Sequence, residues 1–144
     1  MRTLGAAAFL AMLFGAGLLV SSADAQMTGA DFCQGPNPAK QSVAVNLSSS
    51  GENLLVAPVS NQVIQVCSVV VDIGGTSPTM QFDYGTQTST ACDTGTTHLT
   101  GAMTASKVMG GTLDYFTAPA GNQLCLKLTG TSPTAVGVVT YVQK

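Results

Sequence analysis

Apolar and polar side chains alternate along most of the chain with a period of two, the spacing of a half-buried β-strand. The pattern is clearest over 121–142. There Leu124, Leu126 and Leu128 alternate with Cys125 and Lys127, and Val136, Val138, Thr140 and Val142 resume the period after Gly130 to Pro133. This reads as two strands joined by a polar turn, a hairpin with one wet face. A second hairpin is expected upstream. Gln62 to Ile73 is rich in Val and Ile, as in a central strand covered on more than one side. Gly74-Gly75-Thr76-Ser77-Pro78 supplies turn chemistry, and Thr79 to Tyr84 returns antiparallel, with Met80, Phe82 and Tyr84 set against Gln81 and Asp83.

The remaining segments are shorter. Val43, Val45 and Leu47 alternate with Ala44 and Asn46. Ser48 to Gly51 then turns the chain into Leu54 to Ala57, which Pro58 ends as an edge strand. Residues 85–97 are polar and rich in Thr and Gly, and read as a long loop. His98 to Ala105 reads as a strand, with a short helical turn over Ala102 to Met109 as the alternative. Leu113, Tyr115 and Thr117 alternate before the turn at Ala118 to Gly121. About eight strands with no strong amphipathic helix predict an all-β fold, a single antiparallel β-sandwich of jelly-roll-like type. The recurrence of Gly-Thr-Ser-Pro-Thr at 75–79 and 130–134 reads as turn chemistry used twice, not as a solenoid repeat.

The N-terminal stretch changes this picture. Arg2 precedes an uncharged apolar run from Leu4 to Val20, and Ala23-Asp24-Ala25 offers small residues for a signal peptidase. The expected organisation is a signal peptide over 1–25, an extended N-terminal arm over 26–42 without periodicity, and a β-sandwich domain over 43–144. A secreted or periplasmic protein without a membrane anchor after cleavage follows. The chain carries a net charge of −2, and beyond Arg2 it has no arginine. Nucleic-acid binding needs clustered Lys or Arg to displace counterions, so no nucleic-acid partner is expected.

Four cysteines in an exported chain, Cys33, Cys67, Cys92 and Cys125, predict two disulfides. In 63–71 the inward set Ile64, Val66 and Val70 points Cys67 outward with Gln65, and Cys125 shares its outward face with Lys127. Two outward cysteines on different sheets do not meet through the core. Each is therefore expected to be covered by a cysteine from an irregular segment, as Cys67 with Cys92 and Cys33 with Cys125. Loop closure gives about 3 kcal/mol for the shorter and about 5 kcal/mol for the longer of these.

Candidate chemistry is sparse. His98 is the only histidine, without a nucleophile motif around it, and disulfide-bonded cysteines are not nucleophiles. No catalytic residue or cofactor is expected, and no zinc-type ligand spacing occurs in the sequence. Asp72, Asp83 and Asp93 stand beside turns, where aspartate satisfies local backbone donors, and together they make a weak calcium candidate. Tyr84, Asp93, His98 and Tyr115 are the residues placed to form a ligand loop, with the tyrosines as stacking platforms.

The series Val66-Cys67, Phe82-Asp83-Tyr84-Gly85-Thr86 followed by Cys92, Ala120-Gly121-Asn122-Gln123-Leu124-Cys125, and Val136 to Gln143 resembles a pattern in small β-sandwich proteins, exported from bacteria or encoded among bacteriophage structural genes. It covers roughly 43–143. The resemblance implies a jelly-roll-like module displayed on a surface or particle, and no enzyme. The export signal favours the cell envelope over a virion. The end near Tyr141 is also similar to pilus and coat-type subunits, although 26–42 lacks the alternating apolar residues of a donor strand. The expectation is an exported, non-catalytic structural or adhesive surface module that binds a cell surface, a glycan or a second copy of itself through loops, notably 85–97. The alternatives are a soluble carbohydrate or small-ligand binder and a pilus or coat-type subunit.

Overall fold

A computed structural model of the chain describes Cys33, residues 39–110 and residues 116–144. The expected signal peptide lies outside the described residues, as does most of the expected arm. Every described element is a β-strand: β1 (Gln41–Leu47), β2 (Gly51–Val56), β3 (Ile64–Thr86), β4 (Thr94–His98), β5 (Lys107–Gly110), β6 (Phe116–Ala118) and β7 (Gln123–Gln143). The seven form one antiparallel sheet with the order β1-β7-β3-β4, while β2 adds to β7 and β5 and β6 add to β3. No helix is present among the described residues, so Ala102 to Met109 is not a helical turn. Met103 instead makes an isolated bridge to Met80 ahead of β5.

The two expected hairpins are not formed. β3 runs for 23 residues and β7 for 21, and they pair with each other from Ile64↔Gln143 to Gly85↔Gln123. The two Gly-Thr-Ser-Pro-Thr segments do not reverse the chain. They lie opposite one another in this ribbon, at Gly74↔Thr134, Thr76↔Thr131 and Thr79↔Thr129, where the register shifts. Gly75 and Gly130 (φ 118° and 114°) and Ser77 and Ser132 (φ 50° and 49°) take left-handed backbone conformations. That is the turn chemistry seen in the sequence, used here to bend two paired strands together. A Cβ on Gly75 would lie 2.7 Å from the Ser132 carbonyl oxygen, and one on Gly130 would lie 2.9 Å from that of Ser77, so each glycine admits the other segment's backbone.

The bend folds the ribbon back on itself. Phe116 pairs with Val66 near the start of β3, and its ring lies 5.0 Å from that of Phe82 near the end. On a straight strand, Val66 and Phe82 would stand about 50 Å apart. One core therefore joins residues from both ends of the ribbon: Ile64, Val66, Val69 and Val71 with Met80, Phe82, Leu124, Leu126, Leu128 and Val139, capped by Val45 and Val56.

The connections follow an approximate two-fold pattern. In the first half of the chain, β1 and β2 pair with β7; in the second half, β4, β5 and β6 pair with β3. Each long strand is thus flanked by the short strands of the other half. The disulfides respect the halves, as Cys33–Cys67 and Cys92–Cys125. This corrects the expected pairing of Cys67 with Cys92 and Cys33 with Cys125. A reversal at Gly74 to Pro78 would bring Cys92 back towards Cys67. Without the reversal, β3 carries Cys92 to the far end of the ribbon. There Cys125 stands opposite Asp83. Both long-strand cysteines are still covered from irregular segments, with the partners exchanged.

Two inward sets also change. A register shift between Val66 and Ser68 leaves Cys67 as an extra residue, a β-bulge that inverts the alternation after it. Val69 and Val71 face the core and Val70 is exposed. In β7 the irregular segment around Thr131 has the same effect. Ala135, Val139 and Tyr141 are buried, while Val136 and Val138 are turned to solvent.

Candidate functional site

The second half of β3 and the first half of β7 are bordered by β2 and β4, and the face of these strands opposite the core is polar. Register places Glu52 across from Lys127, Lys127 across from Gln81, Cys125 across from Asp83, and Asp83 across from His98. Cross-strand partners share a face, so Glu52, Lys127, Gln81, Asp83 and His98 form one transverse cluster over four strands. Asp83 is completely buried there. Its Oδ1 lies 2.8 Å from His98 Nδ1, and the His98 side chain is 56% exposed. Glu52 Oε1 lies 3.6 Å from Lys127 Nζ. Burial pushes the Glu52 carboxyl above its ordinary range, Asp83's charge and hydrogen bond push it the same way, and Lys127 opposes them.

The loop between β3 and β4 covers one side of this cluster. Cys92, itself at φ 51°, is bonded to Cys125, and its backbone N–H donates to Gln123 Oε1 at 3.0 Å. Gln123 Nε2 donates in turn to Gln87 Oε1 at 2.9 Å. Asp93 organises the loop tip. Its Oδ1 accepts from the Thr88 N–H at 2.7 Å, and its Oδ2 accepts from the N–H groups of Ser89 (2.7 Å) and Thr90 (2.8 Å) and from Ser89 Oγ (2.8 Å). The Thr90, Thr88 and Ser89 amides, in that order, hold the Asp93 carboxyl well below its ordinary value. A depressed carboxyl contributes its full stabilisation above its ordinary range and loses it as pH falls towards the depressed value. In Asp93→Ala, the Thr88, Ser89 and Thr90 amides are expected to exchange about tenfold faster or more at neutral pH, measured by NMR hydrogen exchange. In the unsubstituted protein the same loosening is expected only in strong acid.

The expected ligand loop is not assembled as a unit. Tyr84 is partly buried and packs against the core, on the opposite side of β3 from Asp83. Tyr115 lies outside the described residues. Asp93 is spent on its own loop, and His98 belongs with Asp83. The calcium candidates are likewise apart. Asp72 is exposed and accepts from Ser106 Oγ, Asp83 is bonded to His98, and Asp93 caps the 88–90 amides. Among the described residues, no three His, Cys, Asp or Glu side chains are disposed to hold a metal ion. The chain's alternation shows Asp83 on an outward position of an apolar strand, but its burial depends on the loop and disulfide folded over it. Its bond to His98 and the nearness of Glu52 come from register.

His98 and Asp83 have the relation of a base to its orienting carboxylate, yet among the described residues no hydroxyl or thiol is bonded to the other ring nitrogen. All four cysteines are in disulfides.

On the first half of the ribbon, the face opposite the core differs. Ala44, Val138, Val70 and Val108 stand in one row across β1, β7, β3 and β5, with Val136 beside it. Val108 is 79% exposed and Val136 58%.

These features define an all-antiparallel β protein whose two disulfides suggest an oxidising, extracytoplasmic environment. No protein-family model, curated protein or solved structure matches the chain.

Proposed function

We propose that the protein is an exported, non-catalytic structural or adhesive surface module, a sandwich-like fold that makes contact through a rigid apolar face. The observation that carries this reading is the uncovered valine row, Val70, Val108, Val136 and Val138. Isolated exposed apolar residues are ordinary, but a contiguous set on one sheet face is characteristic of a contact surface. The reading is supported by the fate of the polar groups. The carboxylates and amides around Cys92 bond to one another and to the backbone, and hold the fold instead of presenting themselves to a ligand. The contact surface thus moves from the 85–97 loop to the opposite half of the sheet.

The test compares the unsubstituted mature protein, a Val70→Lys/Val108→Lys variant and a Thr88→Ala/Thr90→Ala loop variant. Self-association is read by analytical ultracentrifugation and attachment by co-sedimentation with cell envelopes. Lysines on the valine row are expected to weaken association about tenfold or more while leaving the melting temperature within a few degrees, and the loop variant is expected to bind normally. Loss of binding in the loop variant alone, or no association by the unsubstituted protein, rejects the reading.

A further inference from the structure

The polar cluster contains an unusual pair. Glu52 comes from the edge strand β2 and Asp83 from β3, with β7 between them. Asp83 acts on the Glu52 carboxyl as a near neighbour. Glu52 Oε2 and Asp83 Oδ2 are both completely buried and have no hydrogen-bond partner in the protein. Two carboxylate oxygens are both acceptors, so a hydrogen bond between them requires a proton on one. With both ionised, two negative charges would face each other away from water, an arrangement that carboxyl pairs avoid by keeping a proton. The remaining oxygens are occupied by opposite partners: Glu52 Oε1 faces Lys127 Nζ from β7 at 3.6 Å, and Asp83 Oδ1 faces His98 Nδ1 from β4 at 2.8 Å.

We propose that Glu52 and Asp83 form a buried proton-binding site, holding one proton in common and tying β2 to β3 across β7. The tie is closed in acid surroundings and opens as pH rises. Lys127 and His98 are the charged and titratable groups that face the pair. Lys127 compensates the single negative charge left when one proton is shared, and neither group supplies the missing hydrogen between the two buried oxygens. The sign follows from linkage. A carboxyl raised in the folded state binds more protons folded than unfolded between its ordinary and raised values. Its contribution is complete below the ordinary value and is lost as pH rises through the raised one. Asp93 acts in the opposite sense at lower pH, so the two carboxyl devices favour the fold over a mildly acidic window.

The experiment measures urea-unfolding midpoints from pH 4 to pH 8 for the unsubstituted protein and for Glu52→Gln, with and without calcium. It is paired with infrared spectra of the protonated-carboxyl stretch of the unsubstituted protein. The glutamine amide replaces the shared proton with a fixed donor to Asp83 Oδ2. Stability of the unsubstituted protein is expected to fall above pH 4.5, the ordinary value for the glutamate. E52Q is expected to lack that fall. At pH 8 its folding equilibrium constant is expected to be about tenfold higher than that of the unsubstituted protein, because a buried, unpartnered charge is removed. A protonated-carboxyl band is expected to persist above pH 4.5. Parallel pH profiles for the two proteins, or absence of that band, overturn the proposal. So does a calcium-dependent rise in midpoint that E52Q removes, because the gap would then hold a cation and not a proton.

Discussion

Replacing Gly137 with alanine is expected to unfold the protein or to lower its stability by about 3 kcal/mol or more, the upper range for forcing volume into a packed interior. Gly137 pairs with Val71 on one side and Val45 on the other, both buried. A Cβ there would drive into the Val70 carbonyl oxygen and come within 2.8 Å of Val71 Cα. These are backbone atoms of the central strand, so relief requires β3 and β7 to separate where they pair most regularly. Thermal unfolding followed by circular dichroism is expected to show the midpoint lowered by about 10 °C or more. Gly101→Ala is the matched control, because nothing lies within 4 Å of a Cβ at that position and its midpoint should not move. A Gly137→Ala protein as stable as the control would mean that the two strands are not in this register.

The disulfides give the second large effect. Cys33–Cys67 and Cys92–Cys125 close segments with sequence separations of 34 and 33, and chain-entropy arithmetic assigns about 4 kcal/mol to each. Cys92→Ala/Cys125→Ala is expected to lose about that much. It also loses the lid over Asp83, so its unfolding midpoint should fall further than that of Cys33→Ala/Cys67→Ala. The pairing itself can be read without a structure. A protease site placed within Gln87 to Ala91 and cut in the folded, oxidised protein is expected to yield two fragments that separate in denaturant without reductant, because each disulfide lies within one half. The pairing inferred from the sequence would hold the fragments together until reduction.

Much of the fold is legible in the alternation of the chain. Val43, Val45 and Leu47, and Leu124, Leu126 and Leu128, lie on the core side as their period of two requires. The all-β class, the two disulfides and the covering of outward cysteines by irregular segments also follow from residue patterns. What escaped is what local chemistry cannot decide. Gly-Thr-Ser-Pro-Thr has left-handed backbone positions whether the chain reverses or bends, and only the presence of the second copy opposite selects bending. The bulge at Cys67 inverts the alternation within a run that carries valine on both faces, so the phase set by Gln65 does not continue to Ser68, Val70 and Asp72. The valine row was hidden for the same reason. Asp83 looked like a turn aspartate because Tyr84-Gly85-Thr86 looked like a turn. Its partners Glu52, His98 and Lys127 are distant in sequence and are brought together by strand register alone.

The exchange of short strands between the halves bears on how the protein reaches its structure. β1, β2 and β3 do not pair with one another; all three pair with β7. A chain emerging from its N-terminus therefore has no native strand pair to form until β4 reaches β3, and β1 and β2 wait for β7, closing loops that span most of the domain. Such high contact order makes folding slow and leaves unpaired strands exposed meanwhile. For a polypeptide that crosses a membrane unfolded, that delay is compatible with passage.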